Sequence, residues 1–139
     1  MQSEFYPNNV YCVDAYQAIK HLPDKSIDLI YTDIPYEYDK KQHFGGMFGR
    51  EKMKYHNERD LVSIGIDYTI LDEFVRVLKT INVYILCSNK QILPIMKYFI
   101  ERHKCTFDIL TWHKVNPTPL CCEKYLSDTE YCLFFRKIG

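Results

Sequence analysis

Asp33-Ile34-Pro35-Tyr36 is the stretch of this chain whose residue types and order could do chemistry. An amine attached to an aromatic ring is a poor nucleophile, because its lone pair is delocalised into the ring. Transfer of a methyl group to such an amine calls for acceptors that hold both N–H groups and localise the lone pair toward the incoming carbon. The Asp33 carboxylate and the Ile34 main-chain carbonyl are acceptors of this kind in consecutive residues. Tyr36 adds a flat ring able to stack on a base taken out of its duplex. A four-residue pattern also arises in turns that do nothing, so its weight depends on the elements that carry it.

Those elements read as strands and helices in alternation. Residues 10–13 read as a short strand ending at Asp14, and residues 15–21 as a short helix stopped by Leu22-Pro23-Asp24. Residues 27–32 are nearly all apolar, the pattern of a strand buried on both faces of a parallel sheet, and they end directly at Asp33. In open α/β sheets ligands gather beyond the carboxyl ends of strands, which is where the tetrapeptide falls. Residues 37–60 lose all periodicity and form a long loop beside that position. An apolar stripe predicts a helix over 67–80 with Asp67 as its cap. Residues 83–87 are the next strand, and Ser88 or Asn89 caps a helix running to Ile100 with Pro94 in its first turns. Residues 107–112 and 131–135 are two further strands rich in aromatic and branched side chains. The fold class is therefore α/β in a single domain over 1–139, mostly parallel with an antiparallel extension at the end.

Charge and composition narrow the partners. The chain has 18 basic and 18 acidic residues, so any hold on nucleic acid must come from a local patch. Lys40, Lys41, His43, Arg50, Lys52 and Lys54 are interleaved with aromatic residues in the long loop and suit phosphate contact. Glu37, Asp39, Glu51 and Glu58 dilute that charge, and an ordinary solvated loop stands beside the binding reading. The six cysteines show no CxxC spacing and the histidines no ligand spacing, so no metal site is expected. A reduced, cytoplasmic setting is the simplest expectation, with no membrane span.

The run Asp28-Leu29-Ile30-Tyr31-Thr32-Asp33-Ile34-Pro35-Tyr36 resembles the Asp-Pro-Pro-Tyr motif of DNA amino-methyltransferases, especially adenine-N6 enzymes of bacteria and their phages. Residues 22–28, 74–79, 114–119 and 125–131 are similar to the amino-terminal halves of the same enzymes, so the resemblance covers nearly the whole chain. It implies a Rossmann-like sheet, DNA as substrate, S-adenosylmethionine as cofactor, and Asp33, Ile34, Pro35 and Tyr36 as the target-base site. Lys114 and Asn116, beyond the strand over 107–112, are by the same family resemblance a second candidate contact with nucleic acid. Ile34 stands where the family usually has proline; isoleucine supplies the same carbonyl with less rigidity. Aspartate at the first position leans toward adenine N6 over cytosine N4. Asp14 could touch the cofactor's adenosine, although capping the helix that follows is the simpler role.

In the permuted enzymes that the chain resembles, the glycine-rich cofactor loop lies carboxy-terminal to the target-base motif. Nothing here matches it, and Gly45-Gly46-Met47-Phe48-Gly49 follows no strand and opens no helix. The chain is thus expected to be an incomplete catalytic half, binding S-adenosylmethionine weakly or not at all alone, with a second polypeptide supplying the cofactor half. The alternative is a non-enzymatic truncated relative that binds nucleic acid or a protein partner. A truncated sheet should also leave a strand edge open to self-association.

Overall fold

The computed structural model describes residues 5–37, 65–117, 125 and 128–137. Helix α1 (Ala15–Ala18) is a single turn whose cap is Asp14, its carboxylate accepting the N–H of Gln17 at 3.0 Å; the 3₁₀ turn Ile19–His21 continues it. Residues 10–13, expected as a strand, belong to no strand of the sheet, and Val10 is fully exposed. So short a segment gains too little from burial to stay extended without a neighbour.

Helix α2 (Ile70–Val77) buries Ile70, Leu71, Phe74 and Val77, the stripe that the spacing predicts. It is shorter than 67–80 at both ends. Asp67 folds the entry turn instead of capping directly: its carboxylate accepts the N–H of Thr69 and its carbonyl that of Ile70. At the other end Leu78 becomes extended and bridges Ile27, while the Lys79 N–H donates to the Ile27 carbonyl at 2.9 Å. Arg76 fastens this junction by donating to the carbonyls of Leu22 and Ile19 and by pairing with Asp24 and Glu73. The approach to the tetrapeptide is therefore zipped onto the end of α2 before it becomes a strand.

Strand β1 (Ile30–Asp33) runs parallel to β2 (Asn82–Cys87), in a register from Ile30↔Val83 to Asp33↔Leu86. β3 (Thr106–His113) and β4 (Thr129–Arg136) complete a sheet of order β1-β2-β4-β3, with β4 antiparallel to both of its neighbours. The alternation of elements predicts a mostly parallel sheet with an antiparallel extension; the described strands give one parallel pair, β1–β2, and an antiparallel extension of two strands. The burial differs. β1 is an outer strand among the described residues, with Tyr31 66% exposed, so the two-faced burial expected for residues 27–32 is not found. The buried strand is β2, where Val83, Ile85 and Cys87 face the core.

Helix α3 (Asn89–Met96) begins after Ser88 and carries Pro94 in its second turn, within the first turns where it was expected. Proline brings no N–H to the helix, and the chain beyond it widens into a π-helical stretch, Lys97–Arg102. That stretch places Phe99 flat against Phe135, ring centres 4.5 Å apart, and both rings are fully buried.

Candidate functional site

Asp33 is the last residue of β1, and the tetrapeptide leaves the sheet at the carboxyl ends of the parallel pair. Asp33 is exposed, Ile34 is buried, Pro35 is exposed and Tyr36 is half-buried. The side chain of Ile34 therefore anchors the segment in the core, with its N–H donated to the Leu86 carbonyl at 3.3 Å. A buried branched side chain supplies some of the rigidity that a proline at this position would give.

A second clamp comes from the start of α3, and sequence reasoning did not find it. Gln91 is fully buried, and its Nε2 donates to the Pro35 carbonyl at 2.9 Å. Its Oε1 accepts the Ser88 N–H at 3.0 Å. The Ser88 hydroxyl lies 2.9 Å from Gln91 Oε1 and 3.3 Å from the Glu37 carbonyl, and donates to one of them at a time. The Ser-x-x-Gln spacing of a capping box was the available signal. Here the box also reaches across to the loop after β1 and fixes its course from Pro35 to Glu37. Replacing Gln91 with leucine should cost about 1–3 kcal/mol in denaturant unfolding, because it leaves the buried Ser88 N–H and the part-buried Pro35 carbonyl unpaired.

Gly65 closes the same corner. Its φ of +82° is the left-handed conformation that glycine takes at little cost, and an added Cβ would stand 3.4 Å from Glu37 Cβ and 3.7 Å from Gln91 Nε2. Tyr68 lies alongside; burial, then the Glu37 carboxylate and Cys87, push its phenol above the usual tyrosine range.

The strand register locates the other candidates. Asp33 pairs with Leu86, Leu86 with Cys132, and Cys132 with Leu110, so β3 ends on the same rim of the sheet as β1. Three strand spacings separate them, roughly 14 Å. Lys114 and Asn116 lie just beyond that end. Asn116 is exposed, while the Lys114 ammonium pairs with Glu130 at 2.6 Å and its N–H donates to the Asp128 carbonyl. Both share the rim with Asp33 without adjoining it. Lys40, Lys41, His43, Arg50, Lys52 and Lys54 lie outside the described residues, as do Gly45, Gly46 and Gly49.

Asp14 sits at the head of α1 with its carboxylate engaged in capping. Gly65 is the one glycine among the described residues, and β2 passes into α3 through Ser88 without a glycine-rich turn. Among the described residues, no three His, Cys, Asp or Glu side chains are grouped to hold a metal ion, and no helix is long and apolar enough to cross a membrane.

Sheet order, parallel β1–β2 pair and antiparallel extension together define a mixed α/β sheet consistent with an incomplete Rossmann-like fold. The crystal structure of M1.HpyAVI shares it, with a TM-score of 0.57 and 23% identity over 91% of this chain and 55% of that one. The crystal structure of the M1.HpyAVI-SAM complex matches with a TM-score of 0.54 and 23% identity, over 91% of this chain and 54% of that one. The chain therefore spans just over half the length of these neighbours. No protein-family model matches the chain, and no curated protein matches it in sequence.

Proposed function

We propose that this chain is the target-base half of an amino-group DNA methyltransferase acting on adenine N6. The observation that carries the reading is the position of Asp33-Ile34-Pro35-Tyr36: it leaves the carboxyl end of a parallel strand, is clamped by Ile34 and Gln91, and lies in a fold shared with M1.HpyAVI. In this reading the Asp33 carboxylate and the Ile34 carbonyl accept the two N–H groups of the adenine amine, and Tyr36 stacks on the extruded ring. Pro35 sets the turn between them. Lys114, Asn116 and the basic residues of the loop over 37–60 contact the DNA backbone.

In this reading the methyl donor is held by residues other than those described. A cofactor half supplied in the same polypeptide or by a second one completes the enzyme, and the outer edge of β1, beside Asp33, is the place where it would join the sheet. Calorimetric titration of the 139-residue chain with S-adenosylmethionine, alone and with adenine-containing DNA, tests this division of labour. The expected result is no heat from the cofactor in either case. Binding in the micromolar range by the chain alone would refute the assignment of the cofactor site to a separate half.

A further inference from the structure

The outer strand β3 lacks the devices that keep sheet edges apart. It is eight residues long, and every one of them is exposed. Phe107, Ile109, Leu110 and Trp112 are exposed by 43%, 44%, 47% and 63%, and alternation sends two of them to each face. Among the described residues no helix covers either face of β3, and no strand pairs with its outer side. Natural edges are usually short, charged, bulged or interrupted by proline. β3 has one acidic side chain, Asp108, and neither proline nor a break in its pairing with β4 from Thr106↔Arg136 to His113↔Thr129.

We infer that β3 pairs antiparallel with β3 of a second copy, extending one sheet through both molecules. Two-fold pairing needs a strand that tolerates itself. Centred on Ile109 or on Leu110, it sets Asp108 opposite Leu110 or opposite Trp112, so neither register brings the acid against its own copy. Charge does not oppose the approach either, with 18 acids balanced by 18 bases. The other outer strand is a poorer candidate: β1 has four residues, half the length of β3, and offers a shorter ladder. The four apolar side chains of β3 expose roughly 400 Å² per copy, judged from the area of a whole aromatic side chain. Edge-to-edge pairing leaves both faces in solvent and covers only the flanks of these side chains, so two copies would remove part of the roughly 800 Å² they expose together, plus the backbone ladder, a weak, concentration-dependent interface. The candidate site at β1 lies on the opposite side of each sheet and stays open.

Trp112 is the single tryptophan of the chain, so β3 carries its own reporter. Sedimentation from about 1 to 200 μM should show the mass rising from 16.7 kDa toward twice that value, with a midpoint in roughly the tens of micromolar. Trp112 emission should shift to shorter wavelength over the same range. The double substitution Ile109→Lys and Leu110→Lys should hold the chain at the monomer mass while its far-ultraviolet circular dichroism is unchanged. Leu93→Lys, on α3 and 67% exposed in the wild type, should leave the doubling intact. A constant monomer mass overturns the proposal, as does doubling without the Trp112 shift or doubling that survives both lysines. If the lysine variant fails to fold, the wild-type mass and emission decide alone.

Discussion

Phe99→Ala should destabilise the fold by about 3–5 kcal/mol, enough to bring a chain of this size close to its unfolding threshold. Phe99 has no exposed surface, and its ring lies 4.5 Å from that of Phe135 at an interplanar angle of 22°. It is also the point where the π-helical stretch after α3 grips the sheet, together with Ile95 from α3 and Leu133 from β4 in the same core. Truncation loses the transfer energy of the ring and leaves a cavity bounded by strands that cannot collapse into it. Phe99→Leu retains most of the volume and should cost less than half as much. In a double-mutant cycle with Phe135→Ala the two rings should couple by about 0.5–1.5 kcal/mol. Circular dichroism in urea gives all these values. Additive single effects would mean that the rings fill space without interacting.

This core matters for the site because α3 carries Gln91. A helix loosened at Phe99 no longer presents the Gln91 amide to the Pro35 carbonyl at a fixed height. Packing on one side of the sheet thus sets the course of the loop at its rim. The link runs from a buried aromatic pair, through about two turns of helix, to the backbone of the tetrapeptide.

The parts of this arrangement that were legible in the sequence are those with a strong period or a local rule. The stripe Ile70, Leu71, Phe74, Val77 announces α2, and the short apolar run over 83–87 announces β2, because burial against a neighbour imposes those spacings. The strands β3 and β4 were equally plain, and the position of Asp33 at a strand end follows from the run before it. What failed was anything decided by a distant partner. Residues 10–13 look like a strand and have no strand to pair with, and residues 27–29 look like the start of β1 but are captured by Leu78 and Lys79. Apolarity alone could not say that β1 lies at an edge. Gln91 carried a local signal in the Ser-x-x-Gln spacing, but its second role was hidden because its partner Pro35 is 56 residues away. The basic loop residues proposed for DNA contact stay an argument from composition, since they lie outside the described residues.

The decisive functional substitution is Asp33→Ala, assayed for methyl transfer to adenine-containing DNA with the chain joined to a cofactor-binding half. The carboxylate is exposed at the end of β1, so its loss should change stability by no more than about 0.5 kcal/mol, as for most surface positions. Transfer should nevertheless fall by roughly a hundredfold to a thousandfold, the scale on which removing one preorganised electrostatic partner slows a reaction. Asp33→Asn keeps one neutral acceptor oxygen and should fall between the two. Tyr36→Ala should act differently: stacking contributes about 1–3 kcal/mol per base, so DNA binding should weaken roughly tenfold or more, while Tyr36→Phe, which keeps the ring, should bind nearly as well as the wild type. Equal transfer rates for wild type and Asp33→Ala would remove the amine-holding role. A Tyr36→Phe defect as large as that of Tyr36→Ala would move the importance of that residue from its ring to its hydroxyl, and the stacking step would have to be abandoned.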